Sequence, residues 1–271
     1  MSTIAGLTDP GHRPGANQDS IGWDEARSLA LVADGLGGHV SGQVASGIVK
    51  ETLLAAAAAL DLKSAVLESH AAILAAANKD ESLRGMASTV VAVHIERGQA
   101  NIVWVGDSRA YLWREGKISR LTRDHSVVEE LREIAGLTET QVRTHPQKNE
   151  VTNVLGAGNP VPATLQLPLQ KRDWLLLCSD GLSGELRDER IAEILAAAPS
   201  PAEASARLIA AALEAGGHDN VSALIVQYDG RTTRALKLKL SDTEISWLAV
   251  LGGVVLALVL AGTVLWLHRA K

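Results

Sequence analysis

"LALVADGLGGHVSG" (residues 29–42) begins as an apolar run and then sets an aspartate, four glycines and a histidine within nine residues. A strand of Leu, Val and Ala buries well, so a carboxylate at its C-terminal lip has to be solvated, paired or bound to a cation. Asp-Gly and Gly-Gly are also frequent turn formers, and this stretch alone leaves both readings open. The rest of the chain separates them. "WLLLCSDGLSGEL" (174–186) again runs an apolar strand into Asp-Gly-Leu, so that Asp180-Gly181-Leu182 matches Asp34-Gly35-Leu36. "IVWVGDSRAYL" (102–112) places Asp107 after an apolar run, and "EAGGHDNVSALIV" (214–226) places Asp219 just before one.

Four strand-edge aspartates from distant parts of the chain share one explanation in a hard divalent cation. Mg²⁺ and Mn²⁺ take about six oxygen ligands, which carboxylates, carbonyls and waters provide. No Cys/His cluster competes. The single cysteine, Cys178, lies inside an apolar run, reads as a small buried hydrophobe, and has no partner for an internal disulfide, so zinc-finger and disulfide-scaffold classes drop out.

With 271 residues and no Pro/Gly/Ser-rich linker before residue 228, the chain reads as one large domain with an appendix. Phe is absent, so the core rests on Leu, Val, Ile and Ala. The net charge of −5 and the lack of a basic stripe argue against a nucleic-acid partner. The N-terminus "MSTIAGLTDPGHRPG" has no apolar stretch of signal-peptide type.

The C-terminal part differs sharply. "WLAVLGGVVLALVLAGTVLWL" (247–267) carries no charge, has Trp near both ends, and matches the roughly 20 residues that cross a bilayer. A buried core helix is the alternative, but such a helix is rarely apolar all round. Four basic residues (Arg231, Arg234, Lys237, Lys239) precede this run and two (Arg269, Lys271) follow it. The positive-inside rule then places residues 1–230 in the cytoplasm, at an inner or plasma membrane. The expected organisation is a domain over 1–230, a basic juxtamembrane linker over 231–246, a single transmembrane helix over 247–267 and a short tail over 268–271.

Helical composition and spacing mark 42–60, 62–79 and 200–217, the last ending on glycines suited to a C-cap. Strand-like runs between Ser88 and Leu121 are joined through "ERGQ" (96–99) and "REGK" (114–117), which read as hairpin turns. Consecutive hairpins imply antiparallel sheet, so a doubly wound parallel fold is disfavoured.

Seven segments now stand in order: "GHRPGANQDS" (11–20), "VADGLGGHVSGQVAS" (32–46), "ASTVVAV" (87–93), "WVGDSRAYLWREGKISRLTRDHS" (104–126), "HPQKNEVTNVLG" (145–156), "LLLCSDGLSGEL" (175–186) and "GGHDNVSALIV" (216–226). Together they resemble the metal-dependent type 2C protein phosphatases, in their bacterial branch, over residues 4–228. The resemblance implies an α+β fold: a four-layer α-β-β-α sandwich of two antiparallel sheets flanked by helices, with a metal cluster at one rim. It implies two Mn²⁺ or Mg²⁺ ions, with a weaker third site. By that resemblance Asp34 bridges the pair, the Gly35 carbonyl adds a ligand, and Asp180 and Asp219 complete the set. Asp107 joins Asp180 at the third site, Asp19 hydrogen-bonds a metal-held water, and Arg13 clamps the phosphate. The segment 131–149 resembles the family's mobile flap, and His125 and His145 beside it read as structural, fixing loop ends.

Two ions about 3.5–4 Å apart hold a shared water, lower its pKa and align it with phosphorus. The expected activity is therefore hydrolysis of phosphoserine and phosphothreonine esters by direct attack of that water. Phosphoproteins, including a cognate Ser/Thr kinase, are the expected partners of a monomeric catalytic domain. Two departures from the family stand out: Pro14 occupies the usual position of the phosphate arginine, with Arg13 one residue earlier, and Leu36 stands where animal members carry a histidine. The competing readings are a membrane-tethered pseudophosphatase or phosphoprotein-binding module without turnover, and a calcium-binding structural protein, against which the lack of a D-x-[DN]-x-[DN]-G loop counts.

Overall fold

The computed structural model describes residues 2–56 and 61–230. The linker, span and tail expected over 231–271 lie outside the described residues, and among those described no helix is long and apolar enough to cross a membrane.

Chain order runs β1 (Ser2–Asp9), β2 (Asp19–Asp24), β3 (Leu29–Leu36), α1 (His39–Ala55), α2 (Leu62–Lys79), β4 (Ala87–Ser88), β5 (Val90–Glu96), β6 (Gln99–Val105), β7 (Arg109–Arg114) and β8 (Lys117–Arg120). It continues through α3 (Val127–Ala135), α4 (Glu139–Thr144), β9 (Ala163–Pro168), β10 (Trp174–Cys178), α5 (Asp180–Glu185), α6 (Asp188–Ala197), α7 (Pro201–Ala215) and β11 (Val221–Tyr228). One sheet has the order β1-β11-β10-β7-β8. The other has β2-β3-β5-β6-β9, with β4 paired to β3. All these pairings are antiparallel.

Side chains alternate faces along a strand, which sorts the core into three apolar layers. Val32, Val91, Val93 and Ile102 of one sheet meet Leu175, Leu177, Leu224 and Val226 of the other in the middle. Leu31, Ala33, Ala92 and Val103 point the other way, against Val49 and Leu53 of α1 and Val66 and Ile73 of α2. Leu176, Cys178, Ala223 and Ile225 face Leu182, Ile191, Leu195 and Leu208 of α5, α6 and α7. This is the α-β-β-α sandwich expected above. Because the central strands are covered on both faces, they read as unbroken apolar runs instead of alternating ones.

Both sequence-marked hairpins form. Arg97 and Gly98, and again Glu115 and Gly116, have positive φ at both central positions, the geometry of a type I′ turn, whose twist suits antiparallel strands. The 62–79 helix starts on Asp61, whose side chain accepts from Ser64 N, and α7 starts on Ser200, which accepts from Glu203 N, with Pro201 in its first turn. Helix α1 begins at His39, three residues before the expected start at 42, and is followed through Ala55.

The flap-like segment departs from the expected loop, because it contains the second half of α3 and all of α4. Gly136 closes α3 in the left-handed conformation, and Thr138 and Gln141 form a reciprocal capping box on α4. Arg143 ties α4 to the sandwich by donating to the Gly184 and Leu186 carbonyls at 3.1 and 3.2 Å.

Candidate metal and phosphate site

Folding brings Arg13, Asp34, Gly35, Asp107, Asp180 and Asp219 onto the wall of one cavity of about 220 Å³, at the rim where the two sheets end. Leu36 lines it too. Asp19 stands behind this wall, opposite Asp34 in the β2/β3 register.

Each carboxylate is placed by a local device. Asp34 lies within β3, its N–H donating to Thr89 Oγ1 at 3.1 Å and its carbonyl accepting from Thr89 N at 2.8 Å. Asp107 sits in the loop that carries the chain from β6 in one sheet to β7 in the other. His125 Nδ1 accepts from Gly106 N at 3.1 Å, and Gly106 O accepts from His125 N at 3.0 Å. His145 Nδ1 likewise accepts from Gln147 N at 3.2 Å. Both histidines therefore fasten loop ends. Asp180 opens α5. Asp219 precedes β11 and pairs with Arg13, so the one-residue offset of the arginine leaves it at the site.

The two Asp-Gly pairs are not turns. Gly35 is in a strand and Gly181 in a helix, yet a Cβ on either would collide with backbone, at the Gly42 carbonyl for Gly35 and at the Asn220 carbonyl for Gly181. Glycine is needed so that backbone closes in behind each aspartate.

Asn220 stands beside Asp219 before the last strand, and the sequence assigns it no role of its own. Its Oδ1 accepts from Gln18 N and its Nδ2 donates to Pro10 O, both at 2.8 Å, which fastens the segment carrying Arg13 to Asp219. The signal was its position, an amide next to a strand-edge aspartate.

Electrostatics set the character of the site. Asp34 and Asp107 are held well above the ordinary carboxylate range, first by burial and then by repulsion from neighbours that include Asp180 in both cases. Asp180 is raised by burial and by Asp219, and its proximity to Asp34 opposes that rise. Asp19 is pushed up to about 7 by burial, against the opposing hydrogen bonds from Ser179 and Ser222. Those hydroxyls donate to Asp19 Oδ2 at 2.6 and 2.7 Å, while Oδ1 is buried without a partner.

Acids crowded this way, with one unsatisfied buried oxygen, are the donor set of hard divalent cations. Among the described residues no three such side chains already converge as a formed ligand cluster: Asp34 and Asp180 face each other across the cavity wall, and Asp219 is turned to Arg13. Cations fit by exchange, replacing those mutual contacts with metal–oxygen bonds. Arg13 still has further guanidinium donors for an anion in the same cavity.

A pH dependence follows. A carboxyl whose pKa is raised on folding binds its proton more tightly in the folded state, so its stabilisation is full below the unfolded value near 4 and is lost as pH rises through the folded value. For Asp19 that window runs up to about 7. In chelator, the melting temperature is expected to fall by several degrees between pH 5 and pH 8, and Mn²⁺ is expected to restore more of it at pH 8, because binding needs ionised carboxylates. Thermal unfolding at both pH values checks this; a chelated protein that is more stable at pH 8, and indifferent to Mn²⁺, contradicts it.

Residues 12–216 match the protein phosphatase 2C family, and the chain belongs to that family. It is 36% identical over 246 residues to the serine/threonine protein phosphatase PstP of Mycobacterium tuberculosis, covering 86% of this chain and 46% of that relative. The chain thus spans about half the length of that protein. With the serine/threonine phosphatase stp of Listeria monocytogenes it shares 34% identity over 237 residues, 82% of this chain and 94% of the relative. The crystal structure of the Mycobacterium tuberculosis phosphatase PstP/Ppp superposes with a TM-score of 0.79 at 33% identity, over 84% of this chain and 99% of that one. The PstP catalytic domain in complex with two manganese ions superposes with a TM-score of 0.76 at 32% identity, over 83% of this chain and 97% of that one.

Proposed function

We propose that this chain is a Mn²⁺- or Mg²⁺-dependent serine/threonine protein phosphatase. The observation that carries the reading is the convergence of four aspartates and one arginine, from separate parts of the chain, on a single cavity wall. Asp34, the Gly35 carbonyl, Asp180 and Asp219 would hold the two ions, and Asp107 with Asp180 would offer a third, weaker place. When bound, the ions acidify a water and neutralise phosphate charge.

The chain's own residues do the rest. Arg13 gives up Asp219 to take non-bridging phosphate oxygens, a charge-assisted contact that fixes the ester in the cavity. Asp19, anchored through Oδ2 by Ser179 and Ser222, keeps Oδ1 as the acceptor for a hydrogen bond from a water held at the site. Water attacks phosphorus directly as the P–O bond to the serine or threonine oxygen breaks, and that oxygen leaves as the alcohol after taking a proton from solvent water, Leu36 offering none. Cys178 takes no part: it is fully buried in the outer core layer and burial pushes its thiol up to about 12, whereas a nucleophilic cysteine needs an accessible thiolate.

The direct test is phosphate release from a phosphothreonine peptide with Mn²⁺ and with chelator, in the wild type and in Cys178→Ala. Alanine suits an apolar layer better than serine, which would bury a hydroxyl. Turnover is expected to require the metal and to survive the substitution. Chelator-resistant turnover, or its loss in a folded Cys178→Ala, contradicts the reading.

We further propose that residues 247–267 form a transmembrane helix that keeps the 1–230 domain at the cytoplasmic face, joined through the basic 231–246 stretch. The support is the uncharged run and the excess of basic residues before it. Tethering raises the effective concentration of membrane-bound phosphoproteins, a Ser/Thr kinase among them. Truncation at Arg231 is expected to move a monomeric enzyme from the membrane to the soluble fraction. Full-length protein in the soluble fraction refutes the anchor.

A further inference from the structure

We propose that the cavity between α3, α4 and α5 is a substrate subsite for an acidic side chain flanking the phosphorylated residue. This rests on the phosphatase reading above and deepens it. The cavity holds about 100 Å³ and adjoins the aspartate cavity, with Asp107, Asn149 and Asp180 lining both. A peptide whose phosphoresidue enters the larger cavity therefore has a neighbouring side chain within reach of the smaller one.

The chemistry of the smaller cavity follows from which of its groups are already committed. Arg109 is occupied by Asp124 at 2.7 Å and donates to Tyr111 Oη at 3.2 Å. Arg120, outside the lining, also lies against Asp124, at 2.6 Å. Arg143 is occupied by Glu139 at 3.0 Å and by the Gly184 and Leu186 carbonyls. Asp107 and Asp180 serve the metal cavity. Lys148 is exposed at the mouth and, among the described residues, forms no ion pair.

Ser126 supplies the independent observation. It is the N-cap residue of the nine-residue helix α3 yet makes no capping bond. Its hydroxyl is buried without a partner, the residue is 2% exposed, and it lines this cavity. A serine at an N-cap ordinarily spends its oxygen on the first turn, and a buried hydroxyl left unpaired is costly. A carboxylate entering here accepts from Ser126 Oγ and pairs with Lys148. A basic side chain finds Asp124 and Glu139 already neutralised.

The test uses phosphothreonine peptides carrying a non-hydrolysable phosphonate, with Glu, Gln or phosphoserine placed in turn at each of the two positions before and after it. Binding to the Mn²⁺-loaded protein is read by fluorescence anisotropy. At one position the wild type is expected to bind the Glu peptide on the order of fivefold more tightly than its Gln counterpart. The ratio is expected to collapse to near one in Lys148→Met and to shrink in Ser126→Ala. Because the readout is a ratio within each variant, a general loss of affinity does not mimic it. Phosphoserine binding more tightly than Glu at that position, with the same dependence on Lys148, makes a second phosphate the occupant of the same subsite. Equal binding of Glu and Gln peptides at all four positions, or a preference that survives both substitutions, overturns the proposal. Failure to bind any phosphonate peptide overturns the phosphatase reading instead.

Discussion

Asp180→Asn is expected to lower turnover of a phosphothreonine peptide at limiting Mn²⁺ by roughly 10²–10³-fold, the equivalent of several kcal/mol of lost metal-based stabilisation. Asp180 is the hub of the acidic wall: its charge acts on Asp19, Asp34 and Asp107 and reaches Arg13. Asparagine keeps its shape but removes that charge. The same change relieves repulsion in the metal-free chain, so its melting temperature in chelator is expected to equal or exceed that of the wild type. Slower turnover together with an undiminished metal-free fold separates a metal ligand from a residue needed for folding. A Mn²⁺ titration of rate and a melt in chelator check the pair. Wild-type turnover at limiting Mn²⁺ contradicts the assignment.

Gly35→Ala is expected to have the largest effect on stability, about 3 kcal/mol or more. The obstacle to a Cβ is the Gly42 carbonyl in α1, and backbone, unlike a side chain, has no rotamer by which to yield. Relief comes only if β3 and α1 separate, which shifts Asp34 and the Gly35 carbonyl together. Gly47, also in α1, is the matched control, since a Cβ there meets nothing within 4 Å. Gly47→Ala is expected to be neutral or to stabilise by about 0.5–1 kcal/mol through helix propensity. Urea unfolding of both variants decides the point, and a Gly35→Ala protein of wild-type stability removes the close-approach argument.

The pair of glycines also shows where sequence reading reaches and where it stops. The repeated Asp-Gly-Leu was visible, and so was the oddity of carboxylates beside buried strands. The conformations were not: one tripeptide lies in β3 and the other opens α5. Local propensity carries no trace of a backbone carbonyl approaching from a distant segment. The type I′ hairpins were legible because two consecutive residues with positive φ leave a strong local signature. Helix α5, six residues long, is too short to announce itself by periodicity and depends on packing Leu182 into the outer layer. Helices α3 and α4 were hidden for a similar reason, their charged residues reading as loop. The crossing between sheets at Gly106 and Asp107 needed three-dimensional pairing to be seen. Ser126 and Lys148 lay inside the segments 104–126 and 145–156 with no role of their own, since a free hydroxyl becomes informative only once its surroundings are known.

The account turns on divalent ions gathered by the four-aspartate wall. Crystals of the 1–230 domain grown with Mn²⁺ and measured at the manganese absorption edge test this most directly, because anomalous scattering locates the metal without relying on activity. Two strong peaks are expected in the cavity, with Asp34 between them and Asp180 and Asp219 on its flanks, and a weaker third beside Asp107. Anomalous peaks away from this wall, or none at saturating Mn²⁺, would contradict it.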